Sequence, residues 1–131
     1  MRGRSSFEYA IIRVVPRVER GEFINAGIVL YCRARSFLAA RISLDEARLL
    51  ALAPGADPAE ITSYLEAMQR ICQGEPGSGP IGQLTQRERF HWLVSPRSTV
   101  IQTSPTHAGL CNDPAAMVEH LMATVVQITM S

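Results

Sequence analysis

The chain has 131 residues, 47% of them hydrophobic and 19% charged, with 13 basic residues against 12 acidic and a formal net charge of +1. That length fits a single domain, 1–131, able to bury a core without disulfides or a metal, and the composition excludes a disordered tail or a coiled coil. No apolar run approaches the ~20 residues of a membrane span, and the near-neutral charge counts against a nucleic-acid module that relies on phosphate attraction.

Residues 1–6 read as a flexible arm. The apolar stretch behind them is short, is broken by Arg13 and lacks a small-residue cleavage site, so no secretory leader is expected. Residues 7–15, FEYAIIRVV, are rich in aromatic and β-branched side chains and predict a strand ended by Pro16. The polar RVERGE forms a loop, residues 23–32, FINAGIVLYC, a second strand, and residues 36–44, SFLAARISL, a third. Their close spacing implies an antiparallel meander.

The second half reads as mostly helical. Ser43 and Glu46 have capping-box spacing ahead of DEARLLAL. Asp57, Pro58 and Glu60 open a helix whose Ile61, Leu65, Met68 and Cys72 form one apolar stripe. Residues 73–82, QGEPGSGPIG, form a glycine-rich loop within the domain and match no nucleotide-binding pattern. Thr85 and Glu88 cap RERFHWLV, STVIQT is a further strand, SPTHAGL a loop, and Asp113 with Pro114 opens a last helix bearing Met117, Leu121, Val125 and Ile128. The fold class is therefore α+β: two layers with a mainly antiparallel sheet, order β-β-β-α-α-α-β-α, and helices on one face.

Strand alternation sorts the side chains into two faces. Ala10, Ile12 and Val14, then Ile24, Ala26, Ile28, Leu30 and Cys32, then Leu38, Ala40, Ile42 and Leu44 make an aliphatic face that belongs under the helices. The other carries Phe7, Tyr9, Arg13, Phe23, Asn25, Gly27, Tyr31, Phe37, Arg41 and Ser43. If Val15 faces Phe23 and Tyr31 faces Phe37, Arg13 meets Asn25, and Arg41 lies beside Gly27. Arg13, Asn25 and Arg41 would then line a polar pocket with Glu22 at its rim, and Gly27 would let a ligand approach the backbone. Arginine forks suit a phosphate or carboxylate. They also suit a plain structural role, with their stems packed on neighbours and Glu22 as counter-ion. An aromatic face of this kind is seldom left bare, which favours a homodimer or a protein partner.

Cys32, Cys72 and Cys111 are widely separated and odd in number, which implies free thiols, Cys32 in the core, and a cytoplasmic protein. His107 and Cys111 have ligand-like spacing, but two ligands do not make a metal site, and no cofactor motif is present. A cysteine nucleophile would need His107 folded back as its base.

The segment RGEFINAGIVLYC, residues 20–32, with YAIIRVVP before it and SPTHAGL after it, resembles the bacterial family known as domain of unknown function 3037. The resemblance runs from about Tyr9 to the final helix. It brings no catalytic residues or cofactor, but it implies a HipA-like kinase as partner, through gene neighbourhood. Three functions follow: an accessory or binding module with an anion pocket on the sheet; a small enzyme acting on a phosphorylated or nucleotide-like substrate; or a module that binds single-stranded RNA on the aromatic face.

Overall fold

A computed structural model of the chain describes residues 3–97 and 99–127. The sheet is antiparallel, with β1 (Ser5–Val14) at its centre, β2 (Ile24–Cys32) beside it and β3 (Phe37–Ile42) on the outside. β4 (Ile101–Thr103) and β5 (His107–Cys111) share the other edge of β1, one after the other. Ser5 and Ser6, read from sequence as part of an arm, already pair with Cys111 and Leu110.

The segment SPTHAGL, expected as a loop, contains most of β5. Ser104 explains how the chain resumes pairing after the break at Pro105. Its backbone N–H donates to Ile11 O (2.9 Å), and its hydroxyl accepts the Ile11 N–H (2.8 Å) where the ladder would otherwise lose a partner. A buried N–H without an acceptor is costly, and Ser104 is itself buried. Gly109 then lies opposite Phe7. A Cβ at Gly109 would stand 2.8 Å from the Phe7 ring, so the glycine is what lets that ring lie flat across β5.

Each helix begins where its cap places it. Asp45 caps α1 (Glu46–Leu52) by accepting from Arg48 N, so the cap is Asp45 and not Ser43, whose N–H extends the sheet by donating to Ala26 O. Asp57 caps α2 (Pro58–Gln73), and Thr85 with Glu88 closes a full capping box on α3 (Gln86–Leu93). Asp113 caps α4 (Pro114–Leu121), which continues into a π-helical turn, Met122–Val126. Ile128 lies outside the described residues.

The α+β class and the antiparallel sheet agree with the sequence reading, but the sheet is covered on both faces. α1, α2 and α3 bury Leu49, Ile61, Leu65, Met68, Cys72, Phe90 and Leu93 against Ala10, Ile12, Val14, Val29 and Tyr31. On the opposite face α4 and the π-helical turn bury Val118, Leu121, Met122 and Val126 against Phe7, Ile28, Leu30 and Cys32.

The face assignment of β2 is corrected by a bulge. Arg13 pairs with Asn25 as expected, yet Ile12 pairs with Gly27, so Ala26 is left without a partner in β1. One extra residue reverses the side-chain parity of everything after it. Ile28, Leu30 and Cys32 therefore leave the aliphatic set for the α4 face, and Val29 and Tyr31 take their place. β3 is also one residue from the expected register: Tyr31 meets Leu38, and Arg41 meets Ile28. The aromatic patch that suggested a homodimer is accordingly divided. Phe7 is buried under α4 with Tyr9 and Phe37 packed beside it, while Tyr31 stacks on Phe90 on the other face at 5.4 Å.

Candidate functional site

Of the five residues expected to form a pocket, the structure brings two together. Arg13 and Asn25 are cross-strand neighbours. The Arg13 guanidinium lies 4.2 Å from the centre of the Phe23 ring, and Asn25 Nδ2 donates to Val125 O of the π-helical turn at 3.2 Å. Arg13 Nε and Asn25 Oδ1 are buried with no hydrogen-bond partner among the described residues.

The other three are engaged elsewhere. Arg41 Nη1 pairs with Glu119 Oε1 of α4 at 2.6 Å, and both side chains are half exposed. Glu22 accepts from the Arg20 side chain in the loop before β2, and that guanidinium holds its carboxyl below the usual range. Gly27 offers no dent. A Cβ there would lie 2.4 Å from Arg41 O and 3.3 Å from Ile12 Cδ1, so the missing side chain admits the backbone of β3 and not a ligand.

The thiols do not support nucleophilic chemistry. Cys32, Cys72 and Cys111 are free and buried. Burial pushes the Cys72 thiol up to about 12 and also raises that of Cys111, which removes the thiolate that such chemistry needs. His107 and Cys111 sit at opposite ends of β5, opposite Tyr9 and Ser5. Four residues of strand separate them by roughly 13 Å, beyond the reach of a base and its nucleophile or of two ligands on one metal. No group of three or more His, Cys, Asp or Glu able to hold a metal occurs among the described residues. No helix among them is long and apolar enough to cross a membrane.

Two clefts lie outside the residues singled out from sequence. The first has a volume of about 430 Å³ and runs between α2, α3 and β4. Its walls are Tyr64, Met68 and Ile71 of α2, Trp92 of α3, and Val100 and Ile101, with Arg97 at the lip. Tyr64 is 43% exposed and Trp92 37% exposed. The Arg97 guanidinium stacks 4.1 Å from the centre of the Trp92 ring and donates through Nη2 to Trp92 O. Partial burial lowers the Arg97 pKa. Tyr64 donates to Glu60 Oε1 at 2.5 Å, a bond that raises its phenol. Volumes of a few hundred Å³ and apolar walls with a few convergent polar groups are typical of binding clefts.

The second cleft, about 350 Å³, is polar. Ser6, Phe7 and Glu8 of β1, Tyr31, Arg33, Arg87 and His91 of α3, and Ala108 of β5 line it. Both clefts had a trace in the sequence. Tyr64 and Trp92 lie off the apolar stripes of their helices, where an aromatic ring has no core to enter. Arg87 lies in the first turn of α3, where a cation opposes the helix dipole.

The comparison with protein families gives one model, described as protein of unknown function (DUF3037), which matches residues 9–126, from within β1 to the end of the π-helical turn. No curated protein and no solved structure matches the chain.

Proposed function

The chain belongs to the DUF3037 family, and we propose that it is an accessory binding module that performs no chemistry of its own and holds a protein partner in the Trp92 cleft. The observation that carries this reading is the pair of exposed aromatic side chains, Tyr64 and Trp92, over a floor of Met68, Ile71 and Ile101. Rings of this kind at the mouth of an apolar cleft are the usual anchors of interfaces. Arg97, already stacked on Trp92, would meet an acidic side chain next to the apolar anchor of the partner. The gene-neighbourhood association of the family nominates a HipA-like kinase as that partner, and the three unoxidised thiols suit a shared bacterial cytoplasm.

The enzymatic alternative finds less support. The thiols are buried, and His107 stands a strand length from Cys111. The RNA alternative required open rings on the sheet, whereas Phe7 and Tyr31 are buried.

Isothermal titration calorimetry of the chain with the HipA-like kinase from the same host tests the reading. We expect saturable binding that Trp92→Ala weakens by roughly 30-fold or more, the ~2 kcal/mol typical of a hot-spot aromatic. Binding that is unchanged in Trp92→Ala and in Tyr64→Ala, or no binding at all, would reject it.

A further inference from the structure

We propose that the polar cleft between β1, β5 and α3 is a binding site for the phosphate group of a small phosphate ester, separate from the Trp92 cleft and from the sheet residues expected to bind an anion. Three cationic or donor side chains converge there, Arg33, Arg87 and His91, against a single carboxylate, Glu8. Neither Arg33 nor Arg87 has an ion-pair or hydrogen-bond partner for its guanidinium among the described residues. The other arginines nearby are spent on structure: Arg35 donates to Ser5 Oγ (3.2 Å) and Gly3 O (3.1 Å), and Arg89 donates to Leu84 O (2.6 Å) and Cys72 O (3.3 Å).

The backbone that carries the two unspent arginines is fixed. Arg33 begins a 3-10 turn, Arg33–Arg35, which ends at Ser36 in the left-handed region with φ of 49°. Gln86 Nε2 donates to Ser36 O at 3.0 Å and ties that turn to α3. Arg35 ties it to β1. Arg87 lies inside the Thr85 and Glu88 capping box, two residues after Thr85 and next to Glu88. A first-turn arginine is disfavoured by the helix dipole, so the local energetics would place an acid there. An anion bound in the cleft reverses that penalty.

Two forked guanidinium groups suit a phosphate better than a point-charge site would. The cleft is also far larger than a phosphate group. Tyr31 and Ala108 give it an apolar side, against which the organic part of an ester would rest. Glu8 sets the selectivity: it repels a ligand with negative charge beyond the phosphate and accepts a hydroxyl.

NMR titration of the whole chain with inorganic phosphate and, separately, with AMP tests this. Saturable shifts of the Arg33 and Arg87 side-chain Nε–H signals are expected with both probes, with AMP binding more tightly. Arg33→Ala and Arg87→Ala should each weaken binding roughly tenfold, as the loss of a charge-assisted hydrogen bond does. Glu8→Gln should tighten it severalfold. Arg41→Ala, on the opposite face, should change nothing. All four side chains are exposed, so folding is not at stake. Absence of saturable shifts with either probe overturns the site, as does tightness unaffected by Arg87→Ala or reduced by Glu8→Gln. Equal affinity for the two probes removes the ester and leaves a site for free phosphate.

Discussion

The two faces of the sheet are closed in different ways. Over one face, three capped helices bury an apolar set that includes Phe90, Leu65, Leu49 and Leu93 almost completely, with no charged side chain among its buried members. Over the other, one eight-residue helix and a π-helical turn do the work. Polar groups enter the margins of both: Arg89 reaches Cys72 O with its Nε unpaired on the first, and on the second Asn25 bonds the turn, Arg41 reaches Glu119, and Arg13 Nε stays unpaired. Stability should therefore concentrate under α1–α3, while the α4 face opens at lower cost, as thinly covered segments do. Both clefts touch α3, so the molecule keeps its candidate binding surfaces on the better-anchored side.

The largest test of this difference is a pair of core truncations. Phe90→Ala should cost about 3–5 kcal/mol, because a fully buried ring leaves a cavity between α3, Tyr31 and α2 that rigid neighbours cannot fill. Leu121→Ala should cost about 2 kcal/mol, the lower end for a leucine, since α4 can settle toward the sheet. Urea denaturation followed by far-ultraviolet circular dichroism measures both. A larger loss for Leu121→Ala would reverse the ranking of the two faces.

The division into two faces was only partly legible from sequence. The caps of α2, α3 and α4 and the stripe Ile61, Leu65, Met68, Cys72 were readable because helical period and cap chemistry are local. β2 was not, since IVLYC is apolar at every position and a strand buried on both sides has no alternation to read. The Ala26 bulge has no local signature stronger than Gly27, which read equally well as a ligand dent. Arg13 with Asn25 survived because it lies on the near side of the bulge, and Arg41 did not because its partner strand had slipped. The two clefts join side chains from α2, α3 and the strands of β1, β4 and β5, distances in sequence that no local pattern spans.

Alkaline pH gives the next largest effect, through Cys72 beneath α2. Burial holds its thiol at about 12 in the folded chain, against 9.0 for an exposed cysteine. Below pH 9 both states keep the proton and its stabilisation is complete. From 9 toward 12 the unfolded chain releases the proton while the folded chain holds it, so stability falls by up to about 1.4 kcal/mol per pH unit. Cys72→Ala should flatten this alkaline limb, which stands out in a chain without lysine. Equilibrium urea titrations at pH 8, 9, 10 and 11 read it directly. An identical alkaline slope in wild type and Cys72→Ala would show that Cys72 is solvated in the folded state and the α1–α3 face looser than described.

Gly27→Ala probes the seam where the two faces exchange residues. The added methyl would meet Arg41 O at 2.4 Å, a backbone atom that moves only with β3. The expected loss is about 2–3 kcal/mol, the upper part of the range for overpacking, with the amide signals of Arg41 and Ile42 displaced. A neutral result would mean that β3 is free to slide and that its register is not fixed by this contact.

The smallest effect is expected at Arg41 and Glu119, the ion pair that joins β3 to α4. Both side chains are 55% exposed, so water and salt screen the attraction, and ordering two long side chains offsets much of what remains. Pairs of this kind contribute about 0.2–1 kcal/mol. Arg41→Ala should therefore shift stability by about 0.5 kcal/mol at low salt and by nothing measurable in 1 M sodium chloride, where the screening length falls to about 3 Å. Asn25→Ala should cost more, because the Asn25 amide reaches Val125 O in a half-buried setting that salt does not screen. Thermal melts of both variants at the two salt concentrations separate the contributions. If Arg41→Ala were the costlier and its cost persisted in high salt, α4 would be pinned by charge and not by the apolar contacts of Val118 and Leu121, and the weaker face of the sheet would owe its closure to one exposed pair.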